Sequence, residues 1–147
     1  MRYVHTNLVA RDWRTLAAFY ESVFGCVPTG PRRDQAGPWL DRGVGVEGVR
    51  LEGVHLLLPG HGPDGPTLEI YTYAPALDAP PPEPNRFGLG HLAFRVDDVR
   101  RVLDAVLAAG GSAQGQVSGA HVEGVGTLEF VYARDPEGNV LELQSWR

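Results

Sequence analysis

With 147 residues, 43% of them hydrophobic, the chain has enough apolar material for one compact domain and too little length for two independent ones. A formal charge of −5 and a pI near 5.5, with 13 Lys and Arg in no long run, exclude a concentrated basic surface, and with it a nucleic-acid or anionic-membrane partner. No window approaches a membrane span, the opening MRYVH has no secretory pattern, and Cys26 stands alone without a disulfide partner, so a cytoplasmic protein is expected.

The first element, YVHTNLV, alternates: Val4, Thr6 and Leu8 face one way, His5, Asn7 and Val9 the other. This predicts a strand with a histidine opposite its better packing face. Asp12 then caps an amphipathic helix, DWRTLAAFYESVFG, with Leu16, Ala17, Tyr20, Val23 and Phe24 inward and Gly25 as its stop. Cys26 follows as a small apolar filler. The stretch from Pro28 to Gly48, rich in Gly, Pro and Arg, is a lid or surface loop with a strand around Trp39 to Val46. VRLEGVHLLLPG reads as a strand, HGPDGP as a turn and TLEIYTY as a strand in which Glu69 stands between Leu68 and Ile70. The run APALDAPPPEPN, 74–85, is a linker that its prolines keep extended.

The second half repeats the first. In GLGHLAFRV, His91, Ala93 and Arg95 oppose Leu92, Phe94 and Val96. Asp98 opens the helix DVRRVLDAVLAAGG, with Val99, Val102, Leu103, Val106 and Leu107 inward and Gly110 or Gly111 ending it. After a strand around Ala113 to Val117 come the strand GTLEFVYAR, the turn DPEGN and the strand VLELQSW, where Glu142 lies between Leu141 and Leu143. At one constant offset His5 matches His91 and Asp12 matches Asp98, and the hairpins match Glu69 with Glu142. The expected fold is therefore α+β: two βαβββ modules, 1–74 and 87–147, joined by a linker over 75–86 within a single domain, 1–147.

If the helix-free faces of the two sheets line a common hollow, as two half-barrels would, His5, Glu69, His91 and Glu142 meet there. Two neutral imidazoles and two carboxylates suit a divalent ion such as Zn, Ni, Co, Mn or Fe, whose charge they balance. Four protein ligands leave a five- or six-coordinate ion open to a substrate with two adjacent oxygens, and the ion would stabilise an enediolate as it forms. Rival residues carry less. Glu52 and Glu129 are repeat mates that read as outward charges, and His55, His61 and His121 as solvated side chains. GVGVEG matches a phosphate loop in letters but leads into a strand, and no GxSxG is present.

HTNLVARD with FYESVFG, the central LEIY, GLGHLAFRVDD and the closing DPEGNVLELQSW resemble the vicinal oxygen chelate superfamily, which includes glyoxalase I, methylmalonyl-CoA epimerase, extradiol dioxygenases and the fosfomycin and bleomycin resistance proteins. The resemblance implies paired βαβββ modules forming a cup-shaped, barrel-like mixed sheet with helices outside. It implies His5, Glu69, His91 and Glu142 as metal ligands, in the order of glyoxalase I. It also implies a homodimer in which His5 and Glu69 of one chain meet His91 and Glu142 of the other. Two departures, Val9 in place of an arginine and Thr72–Tyr73 in place of Asn-Trp, weigh against glutathione as substrate.

The expectation is a divalent-metal-dependent lyase or isomerase of glyoxalase I type, acting on a small carbonyl compound through a metal-bound enediolate. Glu142 is the first choice of general base and Glu69 the second. The alternatives are a small-molecule binding or resistance protein using Tyr71, Tyr73, Trp39 and Phe94, and an Fe(II) extradiol dioxygenase, against which four ligands weigh.

Overall fold

The computed structural model describes all 147 residues. The order is β1 (His5–Val9), α1 (Trp13–Phe24), β2 (Val27–Ala36), α2 (Pro38–Val44), β3 (Arg50–Leu57), β4 (Thr67–Ala74), β5 (Leu92–Arg95), α3 (Val99–Ala108), β6 (Ser112–Ala113), β7 (Ser118–Val122), β8 (Gly126–Arg134) and β9 (Val140–Trp146). The chain divides into two compact units, Met1–Ala79 and Pro80–Arg147.

Both units are α+β and share one plan. In the first, the sheet runs β1-β4-β3-β2, with β1 parallel to β4 and the other pairs antiparallel. In the second it runs β5-β9-β8-β6, with β5 parallel to β9 and β7 also paired to β8. The single edge strand β2, which slips register between Thr29 and Arg33, thus corresponds to the two pieces β6 and β7. Both sheets are open; neither closes into a barrel.

Each helix is fixed at its ends and glued by one face. The Asp12 carboxylate accepts from Arg14 N at 2.9 Å and Thr15 Oγ1 at 2.7 Å, and Gly25 ends α1 at φ +68°, a conformation that favours glycine. Leu16, Ala17, Phe19 and Tyr20 of α1 are buried, as are Leu56 of β3 and Leu68 and Ile70 of β4 on the sheet it covers. Burying each such aliphatic side chain stabilises by about 1.5–3 kcal/mol. In the second unit Asp98 accepts from Arg101 N at 3.0 Å, and Val99 and Val106 of α3 pack on β8 and β9, where Val131, Ala133, Leu141 and Leu143 are buried. Leu107, expected inward, lies on the exposed flank of α3, and Phe19 is buried where the expected stripe of α1 did not include it.

Between α1 and β3 the order differs from expectation. The strand expected around Trp39 to Val46 is the helix α2, because Pro38 takes its first turn, where a missing N–H costs nothing, and Gly45 closes it at φ +74°. The Asp41 carboxylate then accepts from Gly48 N at 3.0 Å and Val49 N at 3.1 Å, tying the following turn down. The strand of this region is instead β2, in what read as a lid or loop; at a sheet edge Pro28, Pro31 and the arginines are tolerated. The strand expected around Ala113 to Val117 is likewise displaced into β6 and β7. No helix is long and apolar enough to cross a membrane.

Candidate functional site

Side-chain alternation sorts each sheet into a face under its long helix and an opposite face. In the first unit Leu56, Leu68 and Ile70 lie under α1, so His55 and Glu69, one residue away, project from the other side. On β1, Leu8 is buried and His5 alternates with it. His5 Nε2 stands 3.2 Å from Glu69 Oε2, and Asn7 Nδ2 donates to the Glu69 backbone carbonyl at 3.3 Å. In the second unit Leu141 and Leu143 are buried on the helix side, and Glu142 projects opposite them. His91, just before β5, places Nε2 at 2.9 Å from Glu142 Oε2. Each unit thus brings its predicted histidine and glutamate together.

These distances fit metal binding. Two donors held about 2.0–2.2 Å from one ion at neighbouring positions stand about 3 Å apart, as both pairs do. The donor chemistry, one Nε2 and one carboxylate oxygen per unit, suits a borderline divalent cation. Within the structure the donors come as pairs, and no group of three or more His, Cys, Asp or Glu side chains is arranged to hold a metal ion.

His55 corrects the sequence reading: it is not a solvated side chain. It faces Glu69 in the β3–β4 register and is only 19% exposed. Its Nε2 lies 3.2 Å from Glu69 Oε1 and 2.6 Å from the Tyr71 hydroxyl. Burial lowers its pKa below the ordinary value despite the opposing pull of Glu69, which favours the neutral ring. Burial, reinforced by Glu69, pushes the Tyr71 phenol up to about 12, so it keeps a proton that it can donate to Glu69. The signal available in the sequence was the hairpin count: pairing outward from HGPDGP sets His55 beside Glu69. The same count in the second unit sets Tyr132 beside Glu142, and the Tyr132 ring lies against His91 with centroids 4.9 Å apart. Burial, then the nearby Glu142, raises the Tyr132 phenol as well.

The aromatic candidates divide. Tyr71 and Tyr73 share the Glu69 face, where they pack with Leu40 of α2, Val49 and Leu51. This face is therefore not free of helix: α2 covers its Tyr71 end. Phe94 stands in register with Leu143, on the α3 side of its sheet, and Trp39 is exposed on α2. Glu52 and Glu129 point outward as expected. Arg32 at 2.6 Å, Arg50 at 3.4 Å and Arg14 at 3.9 Å surround Glu52, and Arg147 at 3.2 Å and Arg100 at 3.8 Å flank Glu129. His61 and His121 are exposed. Thr72 serves the start of α1: its hydroxyl accepts from Trp13 N at 3.2 Å and donates to the Arg11 carbonyl at 3.4 Å.

Comparison with known proteins agrees with this fold. The family model of the Glyoxalase/Bleomycin resistance protein/Dioxygenase superfamily matches residues 2–143. A probable lactoylglutathione lyase of Vibrio parahaemolyticus is 39% identical over 54 residues, which span 37% of this chain and 37% of that protein. Among solved structures, a glyoxalase family protein from Bacillus cereus superposes with a TM-score of 0.77 at 20% identity, covering 99% of this chain and 93% of its own. A glyoxylase/bleomycin resistance protein/dioxygenase domain from Frankia sp. EAN1pec gives 0.60 at 19% identity, covering 100% and 98%. At these identities the two structures speak for the fold.

Proposed function

The chain belongs to the glyoxalase/bleomycin resistance protein/dioxygenase superfamily, and from that premise we propose that it is a divalent-metal-dependent lyase or isomerase that moves a proton beside the carbonyl of a small molecule with two adjacent oxygens. The observation that carries this reading is the repetition of one imidazole and one carboxylate, at 3.2 Å in His5–Glu69 and 2.9 Å in His91–Glu142, at matching places in both units. Chance rarely duplicates a polar pair on the face that a sheet keeps from its helix. We propose the four side chains as ligands of one ion of the Zn, Ni, Co, Mn or Fe class, in a homodimer located in the cytoplasm. When bound, the ion supplies a Lewis acid that withdraws charge from the carbonyl, so the neighbouring proton can be taken by a carboxylate of modest basicity.

The two glutamates divide the remaining work. Glu69 has partners on both oxygens, His5 and His55, and is held in place. Glu142 is paired at one oxygen with His91, which makes it the carboxylate suited to swing and take the proton. Tyr73 and Tyr132, half-buried near these carboxylates, offer apolar ring surface that limits water around a bound substrate. The name of the Vibrio relative suggests glutathione, but the resemblance to glyoxalase I implies an arginine and an Asn-Trp where this chain has Val9 and Thr72–Tyr73, and Thr72 is committed to α1.

The test has two readings. Purified full-length protein should contain, or take up from Ni, Zn or Mn, one equivalent of ion per pair of imidazole–carboxylate half-sites. His5→Ala and His91→Ala should each weaken binding beyond the about 10–100-fold that loss of an outer partner costs. Glu142→Gln, whose amide oxygen can still ligate, should bind the ion more weakly yet, once loaded, lose deuterium exchange beside the carbonyl of an α-hydroxyketone in heavy water, followed by NMR. Protein that binds none of these ions overturns the enzyme reading; a small-molecule binding role is favoured if ligand binding persists unchanged in His91→Ala.

A further inference from the structure

We propose that His55, braced by Tyr71, is a positioning residue for Glu69: it donates a hydrogen bond from Nε2 to Glu69 Oε1 and so leaves Oε2 turned to His5. This rests on the metal-site reading above. Glu69 is gripped from two sides, with His5 Nε2 at 3.2 Å from Oε2 and His55 Nε2 at 3.2 Å from Oε1. The rings of His5 and His55 meet edge to face, with centroids 6.3 Å apart. The Tyr71 hydroxyl, 2.6 Å from the same His55 Nε2, accepts from that N–H and keeps its own proton for Glu69.

The backbone prepares this contact. His55 is the cross-strand partner of Glu69, and Gly53 is that of Tyr71. A Cβ at Gly53 would meet the Ile70 carbonyl oxygen at 1.9 Å and Tyr71 Cδ1 at 2.4 Å, so the tyrosine ring occupies the place a side chain would need. Its ring lies 5.8 Å from that of His55. Arg33 on β2, opposite Gly53, lies on the same stretch.

The proton arrangement follows from charge. A carboxylate oxygen facing an imidazole nitrogen is repelled by a lone pair and attracted by an N–H, so Glu69 selects the tautomer with its proton on Nε2, with the Tyr71 hydroxyl accepting from the same N–H while donating to Glu69. Partners that orient a ligating group typically contribute 10–100-fold to metal affinity. The second unit holds no equivalent: Tyr132 takes the place of His55 there, packed on the ring of His91. The two halves are therefore built differently, one with a carboxylate fixed at both oxygens and one with a freer carboxylate.

The experiment uses the full chain and the metal alone as probe. Dissociation constants for Ni, Zn and Mn are measured by calorimetry for the wild type, His55→Leu, His55→Gln and Tyr71→Phe. In parallel, long-range ¹⁵N–¹H NMR of the metal-free protein reads the His55 tautomer. The expected result is about 10–100-fold weaker binding in His55→Leu, recovery of most of that loss in His55→Gln, whose amide N–H reaches the same oxygen, and a smaller loss in Tyr71→Phe. The metal-free wild type should show His55 protonated at Nε2. A folded His55→Leu that binds as tightly as the wild type overturns the proposal, as does a glutamine variant no better than leucine. If His55→Leu does not fold, the glutamine and Tyr71→Phe variants carry the comparison. Should the wild type bind no ion at all, the functional reading fails separately. The tautomer then decides for His55: a proton on Nδ1 overturns its placement on Glu69, a proton on Nε2 keeps it.

Discussion

Glu69 and Glu142 hold matching positions in their sheets but not matching company, and the difference lies in one residue beside each, His55 against Tyr132. Cys26, just after α1, is likewise buried, 3% exposed. Burial, with a smaller push from Glu21, raises its thiol from 9.0 to about 11. Iodoacetamide at pH 8 should therefore label folded protein far more slowly than protein in denaturant. The sign of the linked stability follows: as pH rises above 9.0 the unfolded chain loses the Cys26 proton first, so stability intact below that pH declines up to about 11. Urea midpoints across this range should fall less steeply in Cys26→Ala; equal slopes would refute the assignment. The two His–Glu pairs were legible because each residue has a like mate, whereas the contact of His55 with Glu69 was not, because the mate of His55 is a tyrosine. The repetition that lifted His5 and His91 above ordinary strand histidines gave His55 no support.

Among the elements, the strands whose apolar alternation meets a buried sheet face were readable nearly to their ends: GTLEFVYAR is β8 and VLELQSW is β9. The miss at α2 has a local cause. WLDRGV alternates weakly, and what makes it helical is Pro38 at its first turn and the Asp41 carboxylate folding back on Gly48 and Val49. The turn between β8 and β9 shows the opposite case, where side-chain and backbone signals agree. Asp135, 3% exposed, accepts from Glu137 N at 3.0 Å, Asn139 N at 2.9 Å and Asn139 Nδ2 at 2.8 Å, and Gly138 follows at φ +89°. Asp135→Ala leaves these donors without their acceptor and should cost about 2–3 kcal/mol. The expected reading is a lower urea midpoint at unchanged slope, with part recovered in Asp135→Asn. Because β9 carries Glu142, the same variant should also weaken metal uptake.

At the scale of the molecule, two units of one plan each complete a His–Glu pair internally, and neither pair borrows a residue from the other half of the chain. The repeat was visible in the sequence, but the way the two pairs would combine in the proposed site is not encoded in any local pattern, since each pair is the same whether its complement comes from its own chain or from a second copy. The resemblance to vicinal oxygen chelate proteins implies the second arrangement, and this yields a decisive mixing experiment. With the proposed ligand set, His5→Ala and His91→Ala proteins would each lack one ligand in every site and should bind metal poorly alone. If sites form across a two-fold axis, unfolding and refolding them together at equal amounts gives mixed dimers in half of the population. In each mixed dimer one site collects both defects while the other is native. About a quarter of all sites should thus regain wild-type affinity, read as a tight phase in a calorimetric titration that neither parent shows. If the mixture titrates as the simple average of its parents, the site closes within one chain and the cross-subunit arrangement is refuted, while the ligand assignment itself stands.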